Sequence, residues 1–104
     1  MQIQVNTDNH ITGREELTAR VEATIASTLD RFSHQITRVE VHLSDENSHK
    51  GGPVDKRCLL EARVEHRPPT AVTHLAATVD EAVSGAADKM RSALDSALGK
   101  LRGY

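Results

Sequence analysis

The sequence predicts a two-layer α+β sandwich in the order β-α-β-β-β-α, a four-stranded sheet with both helices on one face. Three observations predict it. Apolar and polar residues alternate in four short segments, the period of a half-buried strand. In two longer segments the apolar residues recur every three or four positions and form a single stripe. The outward positions of the alternating segments are polar or charged, so two single-striped helices cannot be covering both sheet faces. Both pack on one face, and the other stays wet.

The first strand is Gln2 to Thr7, where Ile3 and Val5 alternate with Gln2, Gln4 and Asn6. Asp8-Asn9-His10 is turn chemistry, and Thr12-Gly13 leads into a helix. From Arg14 to Phe32, the residues Leu17, Val21, Ile25, Leu29 and Phe32 share a stripe about 120° wide, as on a helix lying against a core. Thr18 and Thr28 fall inside it, where a hydroxyl can bond back to a helix carbonyl. Thr12 followed by Glu15 is a capping-box pattern; Glu15 and Glu16 suit the positive end of this helix, and Arg31 the negative end.

Ser33-His34-Gln35 breaks the period, and the second strand follows from Arg38 to Ser44 with Val39, Val41 and Leu43 inward. The polar stretch 45–55, with two Gly and one Pro, is predicted as a flexible hairpin loop. Lys56 to His66 is the third strand, with Cys58, Leu60, Ala62 and Val64 inward; Arg67-Pro68-Pro69 makes the next turn. Thr70 to Ala77 is the fourth, and its phase has two readings. Either Val72, His74 and Ala76 point in, or Ala71, Thr73, Leu75 and Ala77 do. The first is adopted here, and it puts His74 partly in the core. Thr78-Val79-Asp80-Glu81 repeats the capping-box pattern. Val79, Ala82, Val83, Ala86, Met90, Leu94, Ala97 and Leu101 then form the stripe of a long second helix, which Gly85 and Gly99 weaken.

Composition bounds the function. A chain of 104 residues, 38% hydrophobic and 27% charged, has room for one domain over 1–104. No apolar window is long enough to span a bilayer, and the amino terminus does not read as a signal peptide, so no membrane partner is expected. One cysteine, Cys58, makes no internal disulfide and fits a reducing, cytoplasmic location. The formal charge of −2 excludes a blanket of positive charge but permits a local basic surface. Partial protonation of the six histidines moves that balance toward zero below neutral pH. Phe32 and Tyr104 are the only aromatics, so no platform for stacking bases is available. Nucleic-acid binding, if any, must work through phosphates and shape.

Chemistry is sparse. The histidines at 10, 34, 42, 49, 66 and 74 include no helical pair at ligand spacing, so no metal is expected. Cys58 falls on the inward register of a strand and reads as a small buried hydrophobe. No nucleophile elbow and no glycine-rich phosphate loop is present, so neither enzyme nor cofactor nor small-molecule substrate is expected. The informative cluster is cationic. Between residues 88 and 102, Lys89, Arg91, Lys100 and Arg102 outweigh Asp88 and Asp95 by two charges. Lys89 and Lys100 lie on one flank of the apolar stripe and Arg91 and Arg102 on the other, while Arg20 and Arg31 share a flank of the first helix. Two helices side by side would present these six as a rough basic strip. Cations near the negative end of a solvated helix explain the same pattern without a ligand.

The chain also resembles the ribosome hibernation-promoting factor and ribosome-associated translation inhibitor family. The resemblance is carried by Met1-Gln2-Ile3-Gln4-Val5, by Arg38-Val39-Glu40-Val41-His42-Leu43-Ser44-Asp45-Glu46 with Lys50 beyond it, and by Ala82-Val83 followed by Asp88-Lys89-Met90. It is similar to the short form, with no dimerisation domain after Tyr104. The resemblance implies a bacterial cytosolic protein lodged in the messenger and transfer RNA channel of the small ribosomal subunit. There it blocks translation and protects idle ribosomes under stress, with cations of the helix layer on ribosomal RNA phosphates. By position the RNA-binding residues are then Lys89 and Arg91, with Lys100 and Arg102 near the basic tail and Arg20 and Arg31 on the first helix. Thr78-Val79-Asp80 stands where family members have Asp-Met-Tyr, and Asp95 interrupts the cations. These departures imply a weaker, more salt-sensitive ribosome binder. The alternative is a divergent member acting as a protein-binding stress module through the open sheet face, where Leu59 and Leu75 stand near Arg57, Glu61 and Arg63. Whether it self-associates is left open.

Overall fold

The computed structural model describes residues 1–8, 14–45 and 56–101, with side chains as far as Leu98. The order is β1 (Gln2–Thr7), α1 (Arg14–Thr28), β2 (Ile36–Asp45), β3 (Lys56–Val64), β4 (Thr70–Ala76) and α2 (Val79–Leu101). The strands form one mixed sheet in the order β1-β2-β3-β4, with β1 parallel to β2 and the other pairs antiparallel. This is the predicted α+β fold. Asp45, expected to open the loop 45–55, instead ends β2, opposite Lys56 and with its N–H donated to Asp8 Oδ2 at 3.0 Å. The capping residue Thr12, the rest of that loop (46–55), Arg102 and Tyr104 lie outside the described residues, as do the side chains of Lys100 and Leu101.

Both helices cover the same face. From α1, Leu17, Val21 and Ile25 meet Val39, Val41 and Leu43 of β2 and Cys58, Leu60 and Ala62 of β3 in one buried core, with Ala82, Val83, Ala86, Met90 and Leu94 of α2. Ile3 and Val5 of β1 pack at its edge. The helices also run in the same direction. Strands β1, β2 and β4 are mutually parallel, and each helix returns antiparallel to the strand before it.

Three boundaries differ from expectation by two residues or more, each for a local reason. The first helix does not continue regularly to Phe32. Its last α-type bond is Leu29 N–H to the Ile25 carbonyl, after which Phe32 N–H bonds the Leu29 carbonyl in a 3-10 turn over Asp30–Phe32. That tighter turn stacks residues three apart, so Leu29 and Phe32 both reach the core. Strand β2 begins two residues early, at a bulge between Ile36 and Arg38. The extra residue, Thr37, lets Ile36 and Val39 both face inward despite an odd spacing, which hides the strand start from any period-two pattern.

Strand β3 stops at Val64 rather than His66, because Arg67 N–H closes a turn onto the Val64 carbonyl (3.1 Å). His66 sits in that turn with φ of 64°, the left-handed region that Gly favours and β-branched residues avoid. His66→Val is therefore expected to lower stability by about 1–2 kcal/mol, while His66→Gly does not, as read by thermal unfolding. On α2, Ala87 and Leu98 join the buried stripe, which widens it beyond the predicted set.

The fourth strand takes the adopted phase. Ala76 is buried, Val72 and His74 are half-buried, and Leu75 is 46% exposed on the open face. The His74 imidazole lies directly beneath Gly85 of α2, where a Cβ would overlap its Cδ2, Nε2 and Cγ atoms. Gly85 is thus required by a close approach, and its cost to helix propensity is offset there. At the start of α2, Thr78 acts as the cap: its hydroxyl accepts the Glu81 N–H at 3.1 Å.

The backbone phase of the sheet also follows. Asp8 N–H donates to the Leu43 carbonyl, so Val39, Val41 and Leu43 turn their backbone groups to β1, and Glu40, His42 and Ser44 turn theirs to β3. Carried across by the register, Cys58, Leu60 and Ala62 bond β4 through His74, Val72 and Thr70. Ala71, Thr73 and Leu75 then direct their N–H and C=O groups to the edge of the sheet that no described strand covers.

Candidate nucleic-acid interface

The seam between α1 and α2 carries most of the described cations singled out above. Arg20 Nε lies 3.4 Å from Asp80 Oδ1, and Arg31 reaches Asp95 at 3.0 Å. These pairs, far apart in the chain, stitch the two helices together at two levels. Their near-constant offset in residue number follows from the parallel run of the helices. Arg91 shares the α1 side of α2 with Asp80 and Asp95, and pairs with Asp88 one turn back at 3.6 Å. All three guanidinium groups are half-exposed, and each has a carboxylate beside it.

The fourth cation goes elsewhere. Lys89 lies on the opposite flank of α2, over β4, where its Nζ donates to the Thr73 carbonyl at 2.9 Å. The structure therefore brings Arg20, Arg31 and Arg91 together along the seam and sets Lys89 at the sheet edge. Lys100 stands in the last turn of α2 with its side chain outside the described residues, and Arg102 lies beyond them.

Exposed ion pairs of this kind are worth about 0–1 kcal/mol each, so a phosphate can take an arginine from its carboxylate at small cost. The carboxylate left behind still repels that phosphate, and salt weakens the attraction. The seam is an alternating acid–base line able to hold a few phosphates weakly. Sequence reasoning located its arginines but missed that Asp80 and Asp95 are their partners. Only the parallel run of the helices, which the strand order dictates, would have signalled the pairing.

The open face is polar. Glu40 and Glu61 stand opposite each other on β2 and β3, flanked by Arg38 (3.6 Å from Glu40) and Arg63 (4.0 Å from Glu61). Arg38 also donates to Gln4 of β1. Leu59 is half-buried, so among the described residues Leu75 is the large apolar side chain exposed on this face. A cleft of about 520 Å³ opens at the β3–β4 turn, floored by Val64 and Leu98 and rimmed by His34, His66 and Arg67. Among the described residues no group of three His, Cys, Asp or Glu side chains is placed to hold a metal ion. No described helix is long and apolar enough to cross a membrane. Burial pushes the Cys58 thiol up to about 12, against the opposing charge of Arg57, so the thiolate that a nucleophile needs is scarce.

A helix layer with a charged seam, laid on a four-stranded sheet with an open polar face, defines a small α+β binding domain. The chain belongs to the family described as sigma 54 modulation protein / S30EA ribosomal protein, whose model matches residues 3–102. That family comprises ribosome-associated proteins linked to hibernation. Among solved structures, the chain is similar to the N-terminal domain of Protein Y from Thermus thermophilus, with a TM-score of 0.73 at 18% identity over 92% of this chain and 98% of that one. It is also similar to a ribosomal subunit interface protein from Coxiella burnetii, with a TM-score of 0.69 at 10% identity over 95% of this chain and 99% of that one. At those identities the likeness establishes the fold. No curated protein sequence matches the chain.

Proposed function

We propose that this chain is a non-enzymatic cytoplasmic factor, a single domain over 1–104, that binds the small ribosomal subunit through ribosomal RNA phosphates and restrains translation in idle ribosomes under stress. Membership of a ribosome-associated family supports the partner. The observation that carries the mode of binding is the line of half-exposed guanidinium groups, Arg20, Arg31 and Arg91, along the helix seam. Phe32 is buried, so none of the described residues is an aromatic open to stack on a base, which favours phosphate contact as the means of grip.

The acid partners set the character of that grip. With Asp80, Asp88 and Asp95 interleaved and a net charge of −2, long-range attraction to RNA is weak and contact is short-ranged. Each phosphate held releases counterions, so binding falls as salt rises. Sedimentation of the purified chain with small subunits through sucrose gradients tests this. Co-migration at low salt that is lost as salt rises supports the reading. A chain that stays at the top of the gradient at low salt overturns it and favours a protein partner on the open face around Leu75.

A further inference from the structure

The free edge of β4 is a self-complementary surface. Among the described residues β4 has one unpaired side, and the backbone phase directs Ala71, Thr73 and Leu75 toward it. The strand, Thr70-Ala71-Val72-Thr73-His74-Leu75-Ala76, contains no Asp, Glu, Lys or Arg, in a chain that is 27% charged. Open, uncharged edges of this kind recruit further strands, and proteins blunt them with lysine. Such a lysine is present but comes from outside the strand. Lys89, on the overlying helix, donates its ammonium to the Thr73 carbonyl, the middle acceptor of that edge.

We infer that the β4 edge pairs antiparallel with β4 of a second copy of this chain whenever Lys89 is removed from it, and that Lys89 is the residue that holds the edge closed. Two-fold symmetry with its axis at Thr73, the middle residue of the edge, sets the register. It places Thr73 opposite Thr73 of the second copy and Ala71 opposite its Leu75. Each of these pairs exchanges two backbone bonds. Small Ala71 meets large Leu75, both exposed on the open face, and no like charges face each other along the strand. With Lys89 in place, two ammonium groups meet at the centre of that contact and the Thr73 carbonyl is already taken. The inference needs no RNA, so it stands or falls apart from the ribosome reading.

The test uses the full chain free of RNA. Lys89→Met keeps the aliphatic stem and removes the charge, whereas Lys89→Arg keeps the charge. Sedimentation equilibrium is expected to show Lys89→Met associating at least about tenfold more tightly than the natural chain, with Lys89→Arg unchanged, a gain of about 1.4 kcal/mol. Adding Thr73→Cys to Lys89→Met places two thiols across the axis, on Cα atoms about 5.5 Å apart, so a short bis-thiol cross-linking reagent traps a covalent dimer. Lys89→Met that stays as monomeric as the natural chain overturns the inference. So does a dimer in which Cys at position 73 fails to cross-link, or a natural chain already cross-linked through Thr73→Cys with Lys89 intact. Thermal unfolding of each variant separates association of folded chains from aggregation of unfolded ones.

Discussion

Gly85→Ala is expected to lower stability by about 1–3 kcal/mol, although helix propensity alone predicts a gain of up to about 1 kcal/mol. The two effects have opposite signs, so the measurement decides between them. A methyl group at residue 85 enters the space of the His74 imidazole, reaching as far as its Cγ, so a turn of the ring alone does not clear it. Either His74 is expelled from between sheet and helix, or α2 lifts from β4. Residues around the contact have little slack, since Ala82, Ala86 and Ala87 are all buried. For a domain of this size the loss corresponds to a fall in the melting midpoint of roughly 4–8 °C per kcal/mol. His74→Ala combined with Gly85→Ala is expected to recover most of it, because the coupled pair shares one volume. A Gly85→Ala protein that melts higher than the natural chain contradicts the contact.

The second large effect concerns the helix seam. Removing Arg20 and Arg31 together (Arg20→Ala/Arg31→Ala) is expected to weaken binding to small subunits by about 10- to 100-fold and to reduce the log–log salt slope by about one per lost phosphate contact. Removing their carboxylate partners instead (Asp80→Asn/Asp95→Asn) is expected to tighten binding by a similar factor. Both double variants break the same two ion pairs, Arg20–Asp80 and Arg31–Asp95. If those pairs serve only to tie the helices, the two variants lose the same small increment of stability and bind alike. Opposite shifts in affinity mark the arginines as RNA contacts held back by their acids. Filter binding or co-sedimentation across a salt series reads the difference.

Much of the architecture was legible because it rests on burial. The stripe Leu17, Val21, Ile25, Leu29 and the inward set Cys58, Leu60, Ala62, Val64 are buried as their spacing requires. The alternation misled only where the backbone leaves its regular period. At the Thr37 bulge and the 3-10 turn at Asp30–Phe32, the residue count per side-chain repeat changes, and no fixed period spans them. Gly85 read as a weak point because its reason lies on β4, a contact that composition does not register.

The seam was half legible. Helical arithmetic assigned Arg20 and Arg31 to one flank correctly, but flank says nothing of what stands opposite. Lys89 shows the same gap: its angular position was right, and its partner is a main-chain carbonyl, which carries no sequence signature.

Cys58 has a consequence for the chemistry this molecule survives. Alkylation, sulfenic acid formation and capture of soft metals all begin with an exposed thiolate, and its only sulfhydryl sits fully enclosed with burial pushing its pKa to about 12. While the layers stay closed, peroxide and electrophiles find no sulfur to attack there. The folded protein thus weathers oxidative insult at this position without any reductant to guard it.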